Sequence, residues 1–122
     1  MKALIIVDHG SKVDEANEVL YKIAEILRKD ENSGFDIIEP CHMEIARPSI
    51  YEAYKKCVDS GAEKIVVHPY FLVPGRHSKY DIPRMVGEAA RDFPGVEFHV
   101  SEPLGVHRKI IDVVLEKSHS CL

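Results

Sequence analysis

The stretch Lys2-Ala3-Leu4-Ile5-Ile6-Val7-Asp8-His9-Gly10-Ser11 decides the fold. Residues 2–7 form an unbroken apolar strand, the pattern of a strand buried on both faces of a parallel sheet. Asp8-His9-Gly10-Ser11 then turns the chain. From Ser11, a plausible N-cap, Ala16, Val19, Leu20, Ile23, Ile26 and Leu27 recur at helical spacing as far as Lys29. A strand leading straight into a long amphipathic helix is the opening of a βαβ unit.

The same unit repeats along the chain. Asn32-Ser33-Gly34 precedes a short strand at 35–38, and Pro40 argues against its continuing past Glu39, which makes 41–47 a loop. Pro48 suits the first turn of a second helix with an inner face of Ile50, Ala53, Tyr54, Cys57 and Val58, stopped by Gly61. A third strand starts at Lys64, an irregular loop spans 73–80, and Asp81 caps a helix that has Pro83 in its first turn. Pro94-Gly95 closes that helix, 96–100 reads as a fourth strand and 107–117 as the last helix. The order βαβαβαβα predicts an α/β protein: a four-stranded parallel sheet flanked by helices, flavodoxin-like, in a single domain over residues 1–122.

Composition excludes several classes. With 45% hydrophobic and 30% charged residues the 122-residue chain has enough apolar material for a core without disulfides. Its longest apolar runs fall far short of the roughly 20 residues needed to span a bilayer. The start of the chain carries no leader-like segment, so a cytoplasmic protein is expected. A net charge of -4 gives no field for nucleic acid, and three widely spaced cysteines suit a reducing compartment.

Ligands of open parallel sheets bind beyond the carboxyl ends of the strands. That edge gathers His9, the 41–44 segment, the 68–77 segment and Glu102. Two imidazoles, His9 and His77, with the rest of a coordination sphere open suit Fe(II), Co(II), Ni(II) or Zn(II) and do not choose among them. Glu44 is a carboxylate able to accept protons, although an isolated loop Glu is more often a solvated one. Lys12, Arg76 and Lys79 flank the histidines, and helix starts after Ser11 and Asp81 would add amides for anions. His42, His68, His99, His107 and His119 read as structural or surface residues.

Val7-Asp8-His9-Gly10-Ser11 with Asn17, the run His42-Met43-Glu44-Ile45-Ala46-Arg47-Pro48-Ser49-Ile50, the run Pro69-Tyr70-Phe71-Leu72-Val73-Pro74-Gly75-Arg76-His77 with Asp81-Ile82-Pro83, and Pro103-Leu104-Gly105 together resemble the sirohydrochlorin chelatases. The resemblance runs almost end to end. It implies a chelatase half-domain that works as a homodimer and inserts a divalent metal into sirohydrochlorin, with no organic cofactor. It also implies that His9 and His77 are catalytic and handle the metal, that Glu44 contacts substrate, and that Leu72, Val73, Pro74, Gly75 and Arg76 form the substrate loop. We add Lys12, with Arg76, as a holder of substrate carboxylates. The wording is most similar to plastid and cyanobacterial ferrochelatases, which favours Fe2+ over Co2+ or Ni2+; the cobaltochelatase reading is the alternative. Cys121 by itself does not furnish the four thiolates of an iron–sulfur cluster. From other classes, a metal or tetrapyrrole carrier and a flavodoxin-like regulatory module also fit the pattern.

Overall fold

The computed structural model describes residues 1–122 except Pro74 and the side chains of Arg76, His77 and Ser78. Along the chain run β1 (Lys2–Asp8), α1 (Asp14–Lys29), β2 (Ile37–His42), α2 (Ile50–Asp59), β3 (Lys64–Pro69), α3 (Arg76–Ala90), β4 (Glu97–Val100) and α4 (Arg108–His119). The four strands form a parallel sheet in the order β2-β1-β3-β4. The α/β expectation is met, strand by helix.

Residues 3–7 of β1 are all apolar because the strand lies between two others and under helices on both faces. Ala3, Ile5 and Val7 join Ile65 and Val67 against Ile50, Tyr54, Ile82 and Val86 of α2 and α3. Ile6, with Ile38, packs against Leu20 and Ala24 of α1. The apolar stripe of α1 is narrower than its sequence predicts, since Val19 and Ile26 face outward.

Several boundaries differ from the sequence reading. β2 runs through Pro40 to His42, so Cys41 and His42 are strand and not loop. The reason is that β2 is an edge strand. Met43 N–H donates to Asp8 O, whereas His42 N–H donates outward to Pro48 O; Pro40 shares the side of His42, so its missing donor costs no ladder bond. α1 begins at Asp14, and Ser11 instead accepts from Val13 N–H at 3.0 Å. α3 begins at Arg76 with Gly75 as its N-cap, which leaves Asp81 and Pro83 inside the helix. α2 is capped by a reciprocal Ser49–Glu52 box, and Arg47 joins Glu52 through two contacts. Those bonds hold the Glu52 carboxyl down to about 2.

α4 departs furthest from expectation. None of its residues is buried, and Ile111, Val113, Val114 and Leu115 present apolar surface to solvent.

Gly10 is the position where backbone geometry leaves no choice. Its φ is +89°, and a Cβ there would lie 2.0 Å from Glu44 O. Gly10→Ala should therefore destabilise by more than about 1 kcal/mol, because both the left-handed backbone and the collision oppose it. Thermal unfolding of the variant checks this, and an unchanged midpoint would show that the 8–10 turn does not close on Glu44.

Candidate functional site

Main-chain bonds still join the two chains just past the ends of β1 and β2. Met43 N–H donates to Asp8 O at 2.7 Å and Glu44 N–H to His9 O at 3.1 Å. His9 and Glu44 are thereby pinned side by side, main chain to main chain, at the carboxyl edge of the sheet. The other flank of His9 is Phe71, whose ring meets the imidazole edge-on with centroids 4.6 Å apart. Both His9 and Glu44 are exposed.

Phe71 and Leu72 are held in turn by the segment after β4. Leu104 N–H donates to Phe71 O at 2.9 Å and Gly105 N–H to Leu72 O at 2.8 Å, with Gly105 at a φ of +58°. Pro103-Leu104-Gly105 thus acts as the clamp for the 71–73 loop. Leu72, Val73 and Val106 are exposed around it, and with Pro103, His107, Ile110 and Ile111 they line an apolar cleft of about 420 Å³. Ile45, on the far side of Glu44, is also exposed. It has a φ of +71° and sits at the centre of a γ-turn closed by Ala46 N–H on Glu44 O at 2.8 Å. A β-branched residue in that conformation is strained.

Beneath the edge lies a buried polar chain that sequence reasoning missed. His42 has no accessible surface. Its Nδ1 is 2.5 Å from Asp8 Oδ1 and its Nε2 3.0 Å from Tyr21 Oη. Tyr21 O–H donates to Arg47 O at 3.1 Å, and Asp8 Oδ1 also accepts from Gly10 N–H at 3.0 Å. The contacts Asp8–His42, His42–Tyr21 and Tyr21–Arg47 link the start of the 8–10 turn to the end of the 42–47 segment. The signal in the sequence was the register of a strand that continues through proline, which puts His42 opposite Asp8.

The remaining expectations fall out unevenly. Lys12 lies outside the His9–Glu44 pair, in a cleft of about 530 Å³ lined also by Ser11, Asp14, Asn17, Tyr21 and Arg47. The start of α1 is not the anion site the sequence suggested. Ser11 N–H is taken by Asn17 Oδ1 and Val13 N–H by Ser11 Oγ, while Asp14 and Glu15 occupy the first turn. Asp81 is not a helix start either. Gly75 is the N-cap of α3. Pro74 and the side chains of Arg76 and His77 lie outside the described residues. Glu102 and Lys79 meet in another cleft, of about 720 Å³, between β3 and the segment after β4.

Three other histidines have structural partners. His68 Nδ1 lies 2.8 Å from Ser101 Oγ, and burial holds its pKa below the ordinary histidine value. His99 bonds Glu97, and His107 caps α4 by accepting from Lys109 N–H. Burial pushes the Cys41 and Cys57 thiols up, Cys57 to about 12, so neither is a thiolate nucleophile.

Comparison with known proteins agrees with the fold. The family described as CbiX matches residues 3–121. The chain is 44% identical over 119 residues to the chloroplastic sirohydrochlorin ferrochelatase of Arabidopsis thaliana, covering 98% of itself and 52% of that protein. It is 34% identical over 142 residues to the sirohydrochlorin cobaltochelatase of Methanopyrus kandleri, covering 100% of itself and 98% of the relative. The cobalt complex of the sirohydrochlorin chelatase SirB from Bacillus subtilis subspecies spizizenii superposes with a TM-score of 0.89 at 26% identity, over 98% of this chain and 50% of that one. The chain thus spans about half the length of the plant and SirB proteins and nearly all of the archaeal one. The chain belongs to the CbiX family.

Proposed function

We propose that residues 1–122 act as one chelatase unit that inserts a divalent metal into sirohydrochlorin, Fe2+ by preference. The observation that carries this reading is the pinning of His9 beside Glu44 on an exposed edge rimmed by Ile45, Leu72, Val73 and Val106. A large flat macrocycle needs an open apolar platform. Its metallation needs a base for two pyrrole protons and a donor that presents the ion. The names of the relatives supply the substrate and leave Fe2+ and Co2+ both in play. The 44% identity to the plant ferrochelatase tips the choice to iron, with cobalt the alternative.

In this mechanism the metal is substrate. His9 and His77 present the ion and take up the pyrrole protons, since imidazole serves as ligand or base near neutral pH. Phe71 fixes the His9 ring from one side, and Glu44 assists as a proton acceptor. The exposed aliphatic rim contacts the macrocycle, while Lys12 and Arg76 pair with its carboxylates and Pro74 and Gly75 shape the loop. No organic cofactor enters the scheme. A reducing compartment, the cytoplasm, suits the three free cysteines, and no described helix is long and apolar enough to cross a membrane.

We assign a second copy of the chain as the working partner. The bare apolar face of Ile111, Val114 and Leu115 on α4 supports this, because aliphatic side chains exposed together on one helix face call for cover. A carrier that binds without turnover is the reading from another class, and turnover separates the two.

Anaerobic assays following absorbance with Fe(II), Co(II) and Ni(II) should show multiple turnovers, fastest with Fe(II); binding without turnover would leave a carrier. His9→Ala should lower kcat by about 10²-fold or more, the usual worth of a positioned base, with an unchanged far-UV spectrum. Wild-type turnover from that variant removes His9 from the chemistry. Arg76→Ala should weaken binding of metal-free sirohydrochlorin by roughly 1–3 kcal/mol and flatten its salt dependence, as loss of a charge-assisted hydrogen bond would. Titration of the metal-free substrate at two salt concentrations reads this, and unchanged binding removes Arg76 from the contact. Light scattering should give a mass near twice 13.8 kDa, and a fully active monomer would overturn the dimer.

A further inference from the structure

We infer that His42 is a positioning residue, which fixes the turn carrying His9 against the segment carrying Glu44. The inference rests on the chelatase reading and extends it to a residue out of reach of any substrate.

Both ring nitrogens of His42 are engaged, and each leads to a different part of the site. Through Nδ1 the ring holds Asp8 Oδ1 at 2.5 Å, and the same oxygen accepts Gly10 N–H at 3.0 Å. The Gly10 bond closes an Asx-type turn with His9 at its centre, and the His42 bond holds the carboxylate that closes it. Through Nε2 the ring meets Tyr21 Oη at 3.0 Å, whose proton goes to Arg47 O at 3.1 Å. Arg47 ends the stretch that begins at His42 and contains Glu44 and the strained Ile45. The buried imidazole therefore ties the Asp8 carboxylate, which spans the two ends of the His9 turn, to both ends of the Glu44 segment.

Filling space does not explain this arrangement. A buried ionisable group costs stability that an aliphatic residue of similar volume would not, and His42 has no accessible surface. The Asp8 carboxylate keeps partial exposure at the site edge, with its side chain 24% accessible, so its orientation bears on the chemistry there. The γ-turn at Ile45 is a second sign. A strained backbone persists only when its surroundings over-determine it, and the Tyr21–Arg47 bond with the Gly10–Glu44 contact does so on both flanks.

Two substitutions separate the two arms of the ring. His42→Asn places an amide nitrogen where Nδ1 lies and keeps the bond to Asp8, whereas His42→Gln places one where Nε2 lies and keeps the bond to Tyr21. Steady-state metal insertion into sirohydrochlorin, thermal unfolding, and a cycle with His9→Ala form the test. His42→Gln should lower kcat by about 10- to 100-fold with KM for sirohydrochlorin little changed, the scale on which outer partners of a metal-handling histidine act. His42→Asn should recover most of that loss although both variants unfold at lower temperature. In the His9→Ala background His42→Gln should add no further loss, because its effect runs through His9. The inference is overturned if kcat of His42→Gln matches wild type. It is equally overturned if kcat follows thermal stability across the variants, or if the losses of His9→Ala and His42→Gln simply multiply. A wild-type protein that inserts none of the three metals removes the chelatase reading and this inference together; an active wild type with indifferent His42 variants removes this inference alone.

Discussion

The hydrogen bond from Glu44 N–H to His9 O is the constraint on which the rest of the site depends. It forms where both chains turn just past the last β1–β2 rung, and it closes only because Gly10 has no side chain to meet Glu44 O. One main-chain contact thus fixes the separation of an imidazole and a carboxylate that are 35 positions apart in sequence. Rigid strands set this spacing better than loops would, since the ladder cannot slip by one residue without turning β1 inside out. Buried Ile5 and Val7 on one face and Ile6 on the other forbid that slip.

A consequence is that the support for the site lies deeper than the site. His9 and Glu44 are exposed, yet their backbones are set by groups below them: the Asp8 carboxylate, the His42 ring, the Tyr21 hydroxyl and the Asn17 amide that locks Ser11 through two bonds. On the opposite flank, Leu104 and Gly105 do the same for Phe71 and Leu72. Gly10 and Gly105 both have positive φ, and each sits where one loop of the site closes on another.

The alternation of apolar runs with helical periods made the sheet legible, and the glycine after His9 made the turn legible. Edge behaviour was less so. Proline at 40 reads as a strand breaker until the strand is known to be an edge, because only topology shows that its nitrogen faces away from β1. From that one shortening followed the placing of His42 in a loop and its dismissal. The start of α3 was misread for a related reason: Asp81-Ile82-Pro83 carries every local mark of a helix start, and a helix that has already begun at Arg76 simply passes through it. Local signals such as Ser11 and Asp81 identify good caps, but they cannot say whether the groups they would cap are already bonded elsewhere.

Two sets of exposed aliphatic residues differ in physical meaning. Ile45, Leu72, Val73 and Val106 stand around a polar pair on loops clamped by backbone bonds, so their exposure is held open by the structure beneath. Ile111, Val113, Val114 and Leu115 stand on one helix with none of its residues buried. The first set has the form of a platform for a ligand that comes and goes, since its members are spaced around chemistry. The second is continuous along a helix and contains no group that could react, which is the form of a permanent contact. The two surfaces meet at Val106 to Ile111, where the apolar cleft under Leu72 and Val73 runs into the first turn of α4. The first turn of α4 therefore forms one wall of that cleft, so burial there would bear on the site through it.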